Sequence, residues 1–120
     1  MINEVLLVGR VGKDATVRTL ESGKKVMSFT LATWYNVKDE KHESGWRQNT
    51  EWHQVVSYSE FADKVVEKVK KGAIVSVLGS IHYREYEKDG EKKYFTEIVG
   101  DVKVIKEVLK NKTEEKDDIV

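Results

Sequence analysis

The sequence contains no cysteine, which excludes disulfides and thiolate metal sites and suits any redox compartment. It carries no net charge either, because 21 lysines and arginines balance 21 aspartates and glutamates. A uniformly basic surface for nucleic acid is thereby excluded. No apolar run approaches the length of about 20 residues that a membrane-spanning helix requires. A nucleotide-binding glycine loop is missing, since Gly9 and Gly12 lie inside a strand-like pattern with no helix behind them. His42, His53 and His82 show no metal-ligand spacing, and no carboxylate pairs with a nucleophile in a catalytic pattern. No enzyme activity, cofactor, metal or membrane partner is therefore expected. The opening Met1-Ile2-Asn3-Glu4 passes directly into a strand pattern, so no signal or transit peptide is expected.

What remains is 120 residues, 39% of them hydrophobic. That suffices for one domain with a modest core, and a domain this small gains from association. The charge is unevenly spread. Residues 113–120 hold a net −3, which leaves +3 on residues 1–112, a weak electrostatic footprint on its own.

The run Val5-Leu6-Leu7-Val8-Gly9-Arg10-Val11-Gly12 predicts a buried strand that bends or bulges at its glycines. A short extended piece is expected over residues 16–20, with a turn at Ser22-Gly23. Residues 25–35 alternate, with Met27, Phe29 and Leu31 on one face and Ser28, Thr30 and Ala32 on the other, the pattern of a half-buried strand. Residues 36–49 are mostly polar, with Trp46 among them, and read as a long hairpin loop. Residues 50–58 resume the strand, with Trp52, Gln54, Val56 and Tyr58 sharing one face and His53 and Val55 the other.

Residues 59–71 are expected to form the single helix. Ser59 stands at the N-cap, Phe61, Val65 and Val69 recur every four residues, and Lys70-Lys71-Gly72 closes the pattern. Strands over residues 74–86 and 93–105 follow, joined by the hairpin signal Asp89-Gly90. Residues 1–107 then form the domain, and residues 108–120 a short charged, flexible tail. Five main strands with one helix between the third and fourth is the order of an OB-fold, a five-stranded Greek-key barrel in the all-β class. The fold alone gives no function, because such barrels also bind oligosaccharides, tRNA and proteins.

Five segments in order narrow the choice: Leu7-Val8-Gly9-Arg10-Val11-Gly12-Lys13-Asp14 with Val17-Arg18, Thr30-Leu31-Ala32-Thr33, Thr50-Glu51-Trp52-His53-Gln54-Val55-Val56, Val69-Lys70-Lys71-Gly72, and Gly79. Over about residues 2–105 the chain resembles the bacterial and mitochondrial single-stranded DNA-binding protein family. The resemblance implies sequence-independent binding of single-stranded DNA during replication, recombination and repair, with bases stacked on aromatic rings. It assigns stacking to Trp52, Tyr58 and Tyr86. The family's further tryptophan falls at Val37, which cannot stack, and Trp34, Tyr35 and Trp46 are the nearby candidates to replace it. Arg10, Lys13, Arg18, Lys71 and Arg84 fall where the resemblance implies contacts to the strand, which here would be made to phosphates. Gln54 and Glu85 stand where many relatives are basic. His53 is implied at an oligomer interface, with Val55 on the same face, in what the resemblance makes a homotetramer.

Two other readings stay open at this point: an accessory OB-fold replication protein working through protein contacts, and a structural OB subunit with weak nucleic-acid affinity. Three stacking aromatics favour neither. The tail ends Asp117-Asp118-Ile119-Val120 and lacks glycine and proline, unlike the family's usual bacterial tail, which recruits replication and repair partners. That leans towards the mitochondrial matrix, with a bacterial nucleoid or a phage or plasmid form as alternatives.

Overall fold

The computed structural model describes residues 1–60 and 62–108. The sequence-predicted tail beyond residue 108, and Phe61 of the expected helical stripe, lie outside the described residues. The strands are β1 (Val5–Val11), β2 (Thr16–Thr19), β3 (Lys25–Lys38), β4 (Trp46–Tyr58), β5 (Ile74–Lys88) and β6 (Glu91–Lys106), with one short helix, α1 (Ala62–Val65), between β4 and β5. β1 pairs with β5 from Val5 to Arg10, and its last residues also pair with β3, at Arg10–Ala32 and Val11–Leu31. β5 and β6 form an antiparallel hairpin, and β6 joins β4 in parallel at Val55–Ile98 and Val56–Val99. With β3 and β4 also paired, the ring β1-β5-β6-β4-β3 closes on β1. This is the five-stranded OB-fold barrel, with β2 an added edge on β3.

The inward side chains follow the strand alternation. Val11, Met27, Phe29, Leu31, Val55, Val75 and Val77 pack together as the core, each supported by the pleat that turns its neighbours outward. Val55 is only 1% exposed and fills the barrel beside Phe29, its cross-strand partner. The expected interface role of Val55 is thereby corrected: its side chain is spent inside its own barrel and offers nothing to a second copy.

β1 departs from expectation in the opposite sense. Its apolar run predicted a buried strand, yet Leu6 and Val8 are 68% and 54% exposed. A continuous apolar run shows that both faces avoid water, but the barrel covers only one. No bulge interrupts β1, whose register against β5 is continuous from Val5 to Arg10.

The expected loop at residues 36–49 is largely strand. β3 and β4 stay in register from Val26–Tyr58 out to Lys38–Trp46, so only residues 39–45 form the loop. Both faces of this outer hairpin meet water, so its pairing leaves no apolar alternation to read. The expected helix over 59–71 shortens to Ala62–Val65 and continues as turns closed by Lys68 N–H to Val65 O and Val69 N–H to Val66 O. The segment is docked on the barrel: Ala15 N–H donates to the Val69 carbonyl at 2.9 Å, a carbonyl that the last turn of a helix leaves free, and Gly72 N–H donates to the Val11 carbonyl at 2.8 Å. These bonds draw the chain to the barrel floor, where Val69 is buried.

The β5–β6 hairpin turns at Asp89-Gly90, with φ of 54° and 79°, the two positive values of a type I′ turn. Lower down, Gly79 and Gly100 face each other. A Cβ at Gly100 would lie 2.4 Å from the Leu78 carbonyl oxygen, and one at Gly79 would lie 2.1 Å from that of Val99. Backbone cannot retreat as a side chain does. Gly100→Ala is therefore expected to destabilise the fold by about 1–3 kcal/mol, read as a lower urea midpoint; an unchanged midpoint would show that the strands part freely there.

Candidate nucleic-acid interface

Even-numbered residues of β3 and β4 share the outer face of the hairpin, since Ala32 pairs with Trp52, Trp34 with Thr50 and Lys38 with Trp46. Trp34, Trp46, Trp52 and Tyr58 are all exposed on that face, an unusual surface for aromatic rings unless something covers them. Trp52 and Trp34 line one groove together with Arg10, Gly12, Thr50 and Lys71. The Arg10 guanidinium lies 5.6 Å from the centre of the Trp34 ring, within cation–π range. Trp52 rests directly on Gly12, where a Cβ would come within 2.4 Å of its indole Cζ3. Lys71 is held at the groove by a 2.8 Å bond from its backbone N–H to Asp14 Oδ1.

A second groove, about 620 Å³ in volume, opens farther along the same face. Tyr58 lies on its floor, with Arg18 of β2 on one side and Arg84 and Phe95 of the long β5–β6 arm on the other. Trp52 and Tyr58 are six residues apart on one strand, or about 20 Å at about 3.3–3.4 Å per residue. Between them the face carries Ser28, Thr30, Gln54 and Val56. The Arg84 Nε donates to Glu97 Oε1 at 2.5 Å. That hydrogen bond, and then the carboxylate's charge, raise the Arg84 pKa above its ordinary value.

Most of the expected site residues therefore gather on one face. Trp34, Trp52, Arg10 and Lys71 meet in the first groove, and Tyr58, Arg18 and Arg84 in the second. Tyr86 stands at the edge of the second, its ring 5.8 Å from that of Phe95. Trp46 shares the face but sits at the hairpin tip, and Lys13 is exposed in the segment between β1 and β2 and lines neither groove. Val37 and Tyr35 point to the opposite face, where Asn49 Nδ2 donates to the Tyr35 hydroxyl at 2.7 Å. Of the candidates to replace the family tryptophan at Val37, Trp34 alone joins Trp52 in its groove. Gln54 stays exposed on the binding face, and Glu85 pairs with Lys92 at 3.3 Å. His53 is half-buried on the other side of β4, its Nε2 bonded to Thr33 Oγ1 at 2.8 Å.

Sequence reasoning missed Phe95, which is 42% exposed. The signal was present: a two-residue Asp89-Gly90 turn pairs Lys88 with Glu91 and, counting back, Arg84 with Phe95. It also missed Leu6, Val8 and Leu78, which cluster on the outer face of β1 and β5. Among the described residues no group of histidines and carboxylates could hold a metal ion, and no helix is long and apolar enough to cross a membrane.

Comparisons with known proteins show the family. The chain is 41% identical over 100 residues to the single-stranded DNA-binding protein of Rickettsia felis, a match covering 82% of this chain and 65% of that protein. It is 39% identical to single-stranded DNA-binding protein 1 of Chlorobaculum tepidum, covering 82% and 60%. The matched region thus spans less than two thirds of these bacterial relatives. A solved structure, the Plasmodium falciparum SSB complex with ssDNA, superposes with a TM-score of 0.75 at 32% identity, covering 88% of this chain and 96% of that one. The sequence profile of the single-strand binding protein family matches residues 2–106, and with the barrel and these relatives it places the chain in that family.

Proposed function

We propose that this protein binds single-stranded DNA without sequence preference, coating and protecting it during replication, recombination and repair, and catalyses nothing. The observation that carries the reading is the single outer face on which Trp34, Trp52 and Tyr58 stand exposed, flanked by Arg10, Lys71, Arg18 and Arg84. Unpaired bases expose π-faces that stack on any ring, and the cations track phosphates without reading sequence. Among the described residues no recognition helix is available for a major groove: α1 has four residues, and Ala62 is buried in the core.

The test is an equilibrium titration of intrinsic fluorescence with poly(dT) and with duplex DNA of equal length. Poly(dT) is expected to quench the tryptophans and bind far more tightly. Equal affinity for the duplex would defeat the reading. Each phosphate neutralised on a single strand steepens the slope of log K against log salt by about 0.7. With few cations on this face, a shallow slope is expected, and a steep one would move the weight from stacking to charge.

A homotetramer is part of the proposal. Its support is the apolar cluster of Leu6, Val8 and Leu78 on the outside of β1 and β5, since burying one such side chain is worth about 1.5–3 kcal/mol. Half-buried His53 is retained as a contact between copies, whereas Val55 is not. The expected partners are single-stranded DNA and proteins of replication and repair, in a nucleoid. The mitochondrial matrix is one such setting, and the bacterial relatives support a bacterial one.

A further inference from the structure

Glu97 is a charged residue where a strand of this barrel has little use for one. It is 7% exposed, lies on β6 where the arm leaves the barrel, and lines the second groove from beneath. A carboxylate out of water needs a partner. Its partner is Arg84, bonded through Nε. That leaves both Nη groups of Arg84 without a protein partner among the described residues, on a side chain 46% exposed in the groove that Arg18 also lines. Arg84 cannot swing away without stranding a buried charge, so its guanidinium is fixed before any ligand arrives.

We propose that Glu97 is a positioning residue, holding Arg84 so that its free Nη edge, together with Arg18, clamps one backbone phosphate between the bases stacked at Tyr58 and Phe95. The ligand is a phosphodiester of single-stranded DNA, so the inference rests on the binding function proposed above. An arginine suits the task because one edge of its planar fork can bind Glu97 while another faces the phosphate. A lysine has a single ammonium, which Glu97 would occupy.

The experiment is a poly(dT) titration of the full chain over a series of salt concentrations, for wild type, Glu97→Gln, Glu97→Met and Arg84→Lys. Glutamine still accepts from Nε, so Glu97→Gln should keep the wild-type affinity and salt slope. Methionine fills the space but holds nothing. Glu97→Met should lose affinity several-fold, with a slope shallower by about 0.7 per subunit as one phosphate contact is released. Arg84→Lys should lose the same slope, and it carries the test should circular dichroism show that Glu97→Met does not fold.

Tighter binding by both Glu97 variants would mean that the carboxylate merely repels DNA, and would overturn the proposal. So would a loss of affinity at unchanged slope in Glu97→Met, or an unchanged slope in Arg84→Lys. A wild-type protein that does not prefer poly(dT) to duplex fails at the first titration. That result identifies the binding function as the error, and the clamp falls with it.

Discussion

Trp52→Ala is expected to weaken poly(dT) binding by about 1–3 kcal/mol per engaged site, a loss of roughly 5- to 150-fold, and to remove much of the fluorescence quenching. Trp52 is 62% exposed, so its truncation leaves little cavity and the fold should survive, as an unchanged urea midpoint would show. The indole is positioned as well as present. It lies on Gly12, where a methyl group would meet the ring at 2.4 Å and Thr30 Oγ1 at 2.9 Å. Gly12→Ala should therefore tilt Trp52 out of line with Trp34 and reproduce part of the Trp52→Ala loss, while adding little to it in the double variant. Full affinity in a folded Trp52→Ala protein would remove the ring from the binding face.

A second large effect is expected at the other side of the barrel. Leu78→Glu places a charge in the centre of the outer apolar cluster, against Leu6, its cross-strand partner. In the monomer the side chain is half in water, so folding should change little. In an assembly built on this face the charge would be buried unpaired, and sedimentation should show dissociation. Linked grooves on one strand gain avidity by factors of 10²–10⁴, so long poly(dT) should bind on the order of 100-fold more weakly. An oligonucleotide spanning a single groove should bind as before. An intact tetramer of Leu78→Glu would place the interface elsewhere, with His53 the next position to test.

How much of this was legible in the sequence depended on which force shaped each segment. Alternation gave β3 correctly, because Phe29 and Leu31 are buried where Thr30 is not. The parity that set Trp52 beside Tyr58 on one face holds in the structure, as does the Asp89-Gly90 turn. These are local or periodic signals, and backbone geometry transmits them directly.

The misreadings arose where the deciding contact was distant. Residues 59–71 have good helical spacing, but after Val65 the bonds tighten to i→i+3 and the Val69 carbonyl accepts from the distant Ala15, a contact that spacing does not reveal. The hairpin beyond Tyr35 is wet on both sides and so carries no burial pattern, although its pairing is regular. Val55 and His53 share a parity, yet Val55 is buried and His53 only half-buried, a difference that alternation alone does not give. Leu6 and Val8 read as buried because the chain alone does not say whether the second cover is its own or a neighbour's. Phe95 was recoverable from the turn register, and the pairing of buried Glu97 with half-exposed Arg84 was not, because alternation does not mark a charged residue for burial.

The most direct measurement for the central claim is photo-crosslinking of the full-length protein to a thymidine oligonucleotide carrying iododeoxyuridine, with the adducts mapped by mass spectrometry. Halogenated bases react with the aromatic side chains they stack on. Adducts are expected at Trp52 and Trp34 in one groove and at Tyr58, Phe95 or Tyr86 in the other, all suppressed by excess poly(dT) and not by duplex DNA. Adducts confined to Tyr83 and Tyr94, which are exposed on the reverse face of the arm, or suppressed equally by duplex, would contradict it.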